Sequence, residues 1–256
     1  MAQDDTFIGE TIFTPAATAL WQPTDFPFLQ QREAGLAAAS KGALSAHCLR
    51  ARQTEEGGTG WVMADFGLSF FYVLRGQVVL ANVDGAAQLL VADDAATLPP
   101  GCQYEWRDFS ADFEAIEITA SELVAAVPPG AAPIVHRGAD DSFIGGDGDR
   151  ADFSYRDFGL AALTEDRVRL RVVRPIRRDV PATGWHAHTM GQFAFGLRGW
   201  AHVDFPGRPR IRLGAGDGLT VAAGAAHDAG DHSDDFAMLD ICLPATYETR
   251  AIPQPA

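Results

Sequence analysis

A chain of 256 residues is long for one compact domain and ample for two, and its 47% apolar residues can fill two cores. Its formal net charge of -14 repels a phosphate backbone or an anionic membrane surface, which argues against nucleic-acid and membrane partners. Three scattered cysteines, Cys48, Cys102 and Cys242, form no CxxC pair and argue against a disulfide framework or a cysteine-ligated zinc.

The opening residues are polar and acidic, unlike a secretory signal, and no apolar run approaches the ~18 residues of a membrane span. A soluble cytoplasmic protein is the expectation. Leu36–Ser40 suits a short helical turn. Phe70–Leu74 and Gln77–Leu80 are short, rich in β-formers and separated by Arg75-Gly76, so they are predicted as consecutive strands. A turn or two of helix is predicted over Ala120–Val127. The stretch 125–150 holds Pro128-Pro129-Gly130, Pro133 and Gly145-Gly146-Asp147-Gly148, the composition of a linker. Arg167–Val172 alternates polar and apolar with the period of a half-buried strand. Arg169 and Arg171 could meet a substrate anion from it, although a solvent-facing strand surface is their expected place. Phe236–Cys242 is a further strand. Twenty-six glycines and fifteen prolines complete the picture of an all-β chain of short strands and tight turns.

The two halves repeat. Thr59-Gly60-Trp61 recurs as Thr183-Gly184-Trp185, 124 positions later, and Leu74-Arg75-Gly76 recurs as Leu197-Arg198-Gly199, 123 later. Ser110, Asp112 and Phe113 face Ser233, Asp235 and Phe236, and Glu117-Ile118 faces Asp240-Ile241. Upstream, Gly35–Ala38 matches Gly159–Ala162. So many landmarks in one register indicate a tandem duplication, with domains expected at 1–130 and 131–256.

The chemistry lies in the second copy. His186 and His188 are two apart on a predicted strand, so both imidazoles project from one face. Gln192 follows after a tight turn, and His227 arrives beyond Gly216-Asp217-Gly218 and Gly224. Three imidazoles and an oxygen donor suit one divalent first-row metal: iron, manganese, nickel or zinc. His202 and His47 do not fit this pattern, His136 falls in the linker, and His232 is placed in a solvated acidic loop.

This segment resembles the cupin superfamily, whose first motif reads Gly, five residues, His-x-His, three or four residues, Glu, six residues, Gly. Here Gln192 stands in the Glu place, and Phe193–Arg198 separate it from Gly199. The opening glycine is not kept. The second motif is followed through Gly216, Gly224 and His227, with Ala222 where Pro is usual and Asp231 where Asn is usual. The resemblance covers most of 155–248 and implies a jelly-roll barrel. The repeat extends it to a bicupin of two tandem barrels.

At the corresponding positions the first copy has Val62 and Ala64, Leu68 or Ser69, and Tyr104. One donor is not a metal site, so this copy reads as a scaffold. A metal-free pocket lined by Phe70, Tyr72, Tyr104 and Trp106 is the alternative.

Gln192, unlike Glu, leaves the full 2+ charge on a metal, which favours an anionic chelating small molecule such as an enolate, hydroxy-ketone, catechol or α-hydroxy acid. The resemblance implies a small-molecule enzyme, dioxygenase-like first. Gln in the Glu place is similar to small cupins that process unsaturated uronates, which implies a non-redox isomerase or lyase as the alternative. The barrel also resembles the ligand-sensing barrel of AraC-type regulators, and storage bicupins give a scaffold reading. No catalytic residue stands out: Asp217, Asp228, Asp231 and Tyr247 are base candidates by proximity alone. A homodimer is plausible because strand edges need covering.

Overall fold

In the computed structural model, the described residues are 7–255 apart from 84, 123, 125, 126, 128, 130, 131, 139–141, 147–150, 178 and 179. The fold is all-β, two tandem jelly-roll barrels with few short helices. By packing, the chain divides into one unit of Met1–Thr18, Ala34–Gly42 and Asp140–Ala256 and another of Ala19–Glu33 and Ala43–Ala139.

In the unit holding the C-terminal half, the larger sheet runs in the order Phe13–Thr14, Gly218–Val221, Gly191–Arg198, Ala237–Leu243, Arg169–Pro175, Phe153–Asp157, Ile144–Gly145. A second sheet runs Ile211–Gly214, Trp200–Asp204, Asp228–His232, and the pair His186–His188 with Thr249–Ala251 makes a third. Alternation along the strands turns Ala194, Ala201, Val203, Leu213, Leu219, Val221 and Phe236 into one apolar cluster. The first strand of the larger sheet comes from the far N-terminal arm: Phe13 and Thr14 pair with Leu219 and Gly218.

The other unit repeats this order. Its larger sheet carries Ala95–Leu98, Leu68–Arg75, Glu114–Ala120, Leu44–Ala51 and Leu29–Glu33 in sequence, and its smaller sheet carries Gln88–Val91, Gln77–Asn82 and Gln103–Phe109. The duplication also extends to the helices. Leu36–Ala39 and Leu160–Leu163 are each four residues long, and each starts at a glycine in the left-handed region, Gly35 at φ 95° and Gly159 at φ 72°. Only glycine takes that conformation without steric cost.

Several expectations need correction. The stretch 125–150 is not merely a linker: Ile134–His136 is a strand paired with Ala95–Thr97, and Ile144–Gly145 pairs with Phe153–Asp157. Ala120 ends a strand, and the remainder of the helix predicted to Val127 falls partly outside the described residues, as does part of the proline-glycine stretch. The aromatic pocket that is the alternative reading of the first copy does not form as one lining. Phe71 and Trp106 stack with ring centroids 4.2 Å apart and fill that barrel together with Val73, Phe109 and Phe113, with Tyr104 packed against them. Phe70 and Tyr72 alternate to the opposite face of their strand, where the Tyr72 hydroxyl donates to Asp93 Oδ1 at 2.7 Å.

Candidate metal centre

His186 and His188 lie on a three-residue strand and both are buried, while Ala187 between them is half-buried. The strand holds its place by pairing with Thr249–Ala251, and His186 exchanges both backbone hydrogen bonds with His227 at 2.9 Å. Local pairing alone therefore brings the third histidine beside the first two. One nitrogen from each of the three rings lies within 4.8 Å of the other two.

Hydrogen bonding fixes which nitrogens face inward. His186 Nδ1 donates to the Gly184 carbonyl at 2.6 Å, and His227 Nδ1 donates to the Ala225 carbonyl at 3.0 Å. A carbonyl only accepts, so in a neutral ring the proton sits on Nδ1 and the lone pair on Nε2. His188 Nδ1 meets the Thr249 hydroxyl at 2.9 Å, which accommodates the same tautomer. Anchoring the far nitrogen of each imidazole is how proteins orient histidines toward a metal.

Gln192 is the second residue of its strand and lines the same cavity as the three histidines. Its Nε2 donates to Asp240 Oδ1 at 2.6 Å. A carboxylate only accepts, so the amide must turn its nitrogen toward Asp240, leaving Oε1 as the donor atom for a ligand role. Three neutral imidazoles and one amide oxygen fit a divalent first-row cation.

Asp240 is 1% exposed, and its other oxygen takes the Arg171 Nε at 2.8 Å. Arg171 is therefore not on a solvent-facing surface, contrary to expectation: its side chain is 13% exposed and lines the cavity. Its Nη2 donates to the Tyr247 hydroxyl at 3.1 Å, and its guanidinium lies 4.4 Å from the Tyr155 ring centre. Burial is the largest single influence and works against its charge, but the Asp240 carboxylate, with Cys242 and Tyr247 adding to it, outweighs burial and holds the guanidinium pKa above its ordinary value. Burial first, and then the Asp240 carboxylate, push the neighbouring Cys242 thiol well up, so it stays protonated and offers no thiolate.

Of the four base candidates, Tyr247 reaches the cavity, its ring 5.4 Å from that of His188. Asp217 instead caps a turn, accepting from the backbone amides of Ala16 and Gly214. Asp228 accepts from the Thr183 hydroxyl at 3.2 Å, and the Asp231 side chain is 78% exposed. His232 also departs from expectation. It ends a strand, Asp228–His232, is half-buried and lines the cavity. Its Nδ1 donates to the Ser233 carbonyl at 3.0 Å, while its Nε2 is buried without a hydrogen-bond partner.

Sequence reasoning missed Asp240 and undervalued Arg171 and His232. Asp240 carried a signal, being the one charge in the otherwise apolar strand Ala237–Leu243, directly across from Arg171. The cavity itself measures about 100 Å³, room for a small molecule. Apart from the polar groups above, it is walled mainly by aliphatic and aromatic side chains.

In the first copy, Ser69 rather than Leu68 stands at the Gln192 position, since Ser69 pairs with Thr119 as Gln192 pairs with Cys242. Its hydroxyl donates to Glu117, the counterpart of Asp240, at 3.3 Å. His47 lies across from Glu117 as Arg171 lies across from Asp240. The first copy therefore keeps the architecture of the site with different donors. Among the described residues no helix is long and apolar enough to cross a membrane.

No family model and no curated protein matches this chain. Solved structures do. Protein Ylba from E. coli, described by the family model DUF861, superposes with a TM-score of 0.70 at 12% identity, covering 94% of this chain and 93% of its own. A formate complex of Lactobacillus farciminis oxalate decarboxylase matches with a TM-score of 0.64 at 9% identity, covering 95% and 89%. Bacillus subtilis oxalate decarboxylase, studied for its Mn(II) centres, matches with a TM-score of 0.60 at 11% identity, covering 98% and 82%. At these identities the likeness is one of fold.

Proposed function

We propose that this protein is a metal-dependent enzyme acting on a small anionic chelating substrate in its C-terminal barrel. One divalent metal would be held by His186, His188, His227 and Gln192. The observation that carries the reading is the convergence of three buried imidazoles, each tethered through Nδ1, on one cavity. A metal held there supplies Lewis acidity, and iron would add redox chemistry. The Mn(II) centres of an oxalate decarboxylase of the same fold support a metal role for such a barrel. The duplication unit is proposed as 1–130 and 131–256, with the first barrel a scaffold that holds no metal.

The leading reaction class is dioxygenase-like, which needs iron. A non-redox isomerase or lyase is the second reading, favoured by His232 on the cavity wall, whose Nδ1 is committed to the Ser233 carbonyl and whose Nε2 has no hydrogen-bond partner, which leaves that nitrogen as a base.

Oxygen uptake by protein reconstituted with Fe(II), offered enediols, catechols and α-hydroxy acids, tests the first reading. Uptake that depends on both protein and substrate supports it. Absence of uptake, together with solvent-deuterium exchange into substrate by the zinc or nickel form, replaces it with the second. Neither activity from a fully loaded protein refutes the enzyme reading.

A further inference from the structure

Asp240 divides its carboxylate between two partners, Oδ1 to Gln192 and Oδ2 to Arg171, so the guanidinium lies one carboxylate's width from the proposed fourth ligand. Arg171 commits Nε to Asp240 and Nη2 to Tyr247, while Nη1 has no protein hydrogen-bond partner among the described residues. That leaves Nη1 as a charged donor on a residue that lines the cavity, able to pair with an acceptor that a ligand brings. The guanidinium carbon also lies 4.4 Å from the Tyr155 ring centre, so an aromatic ring packs against the cation. The opposite charges of Asp240 and Arg171 cancel, so a resident divalent metal would remain the net charge to be met by a ligand.

The duplication adds a second observation. The barrel with three histidines has the ion pair Arg171–Asp240, and the barrel that lacks them has His47 across from Glu117 at the same positions. Burial lowers the His47 pKa against the opposing pull of Glu33, and burial raises that of Glu117. The fixed positive charge accompanies the histidine cluster and is absent where the cluster is absent.

From this geometry, and resting on the metal-dependent reading above, we infer that Arg171 selects the substrate. With Tyr247 it anchors the carboxylate of a compact acid whose adjacent carbon bears an oxygen donor, an α-oxo or α-hydroxy carboxylate, while those donors reach the metal. The charged Nη1 donor pairs strongly with a carboxylate oxygen and gains little from the neutral hydroxyls of a diol. The cavity of about 100 Å³ limits the remainder of the molecule to a short apolar tail facing Val173, Val203 and Met238. Among the chelators compatible with a divalent metal, this singles out small hydroxy and oxo acids over catechols.

The test is Mn(II) EPR of full-length metal-loaded protein titrated with glycolate and, separately, with catechol. Wild type, Arg171→Lys and Tyr247→Phe are compared, with metal content measured on every sample. Arg171→Lys keeps the charge opposite Asp240 and loses the planar guanidinium that carries Nη1. Glycolate is expected to perturb the wild-type signal and to bind about tenfold more weakly to Arg171→Lys, the loss of one charge-assisted contact, with catechol unaffected. Should Arg171→Lys not hold metal, Tyr247→Phe removes a single hydroxyl and is expected to weaken glycolate about threefold. Equal glycolate affinity in wild type and a loaded variant, or a parallel loss for catechol, overturns the inference while leaving the metal reading intact. A wild type that takes up no manganese sinks the metal reading itself, and this inference with it.

Discussion

The side-chain nitrogen of Gln192 lies 2.6 Å from Oδ1 of Asp240, and this contact commits the amide nitrogen and leaves its oxygen for another partner. Because Asp240 also takes Arg171, one buried carboxylate sets both the proposed fourth ligand and the cation beside it. Asp240→Ala strands Arg171 in a poorly solvated place and releases Gln192. Breaking a buried pair by removing one partner costs about 3–5 kcal/mol. Urea unfolding of the metal-free protein is expected to show a loss of that order, and a loss below about 1 kcal/mol contradicts the pairing.

Gln192→Glu installs the ligand usual for cupins but sets two carboxylates against each other across that 2.6 Å contact. Without metal the variant is expected to be less stable than wild type by about 1–3 kcal/mol, from the lost hydrogen bond and like-charge repulsion. A divalent metal offsets the added charge, so the metal-induced rise in Tm is expected to be larger than in wild type. An equal or smaller rise counts against Gln192 as a ligand.

In the first barrel Glu117 sits where Asp240 sits in the second, but with no guanidinium across from it. Burial raises its pKa above the ordinary 4.5, Asp65 adds to the rise, and the Ser69 hydroxyl works against it. The folded state thus holds the proton more tightly than the unfolded chain. That contribution is fully present below pH 4.5 and is lost as pH rises through the folded value. Glu117→Gln removes the dependence. Its stability relative to wild type is expected to climb as pH rises above 4.5 and to level off once Glu117 is ionised in the folded state as well. A difference that is flat with pH contradicts a buried, protonated Glu117.

Gly218 opens a strand that pairs on one side with Phe13 and Thr14 of the N-terminal arm. A methyl group there would collide with the Ala34 carbonyl and stand 3.2 Å from Phe193 Cε2, and backbone cannot yield as a side chain can. Gly218→Ala is expected to cost about 1–3 kcal/mol by overpacking. Gly9→Ala, whose methyl meets nothing within 4 Å, should stay within about 0.5 kcal/mol. Thermal unfolding of the two variants side by side checks the contrast, and equal behaviour refutes the close approach.

The fold was largely legible because the repeat is. Thr-Gly-Trp and Leu-Arg-Gly recur at turns, and turn chemistry survives divergence that erases core identity. His186 and His188 were legible because a strand period of two puts them on one face, and His227 because turn glycines mark the return of the chain. Arg171 was misread because alternation along one strand shows which residues share a face, not whether that face looks inward. That depended on Asp240, 69 residues away, to make burial of a cation tolerable. His232 was misread because its acidic neighbours suggest a loop, although pairing with the strand Trp200–Asp204 makes the segment a strand. The strand contributed by Phe13 and Thr14 has no sequence signature of its own. It is fixed by contacts more than 200 positions away, which no local pattern encodes.

The central claim is that the three histidines hold a metal, and elemental mass spectrometry of untagged wild type and His186→Ala tests it most directly. Close to one divalent metal ion per chain in wild type, and nearly none in the variant, is the predicted result. No bound metal in wild type, and none taken up on reconstitution with iron, manganese, nickel or zinc, would contradict it and leave three buried histidines that only support the barrel.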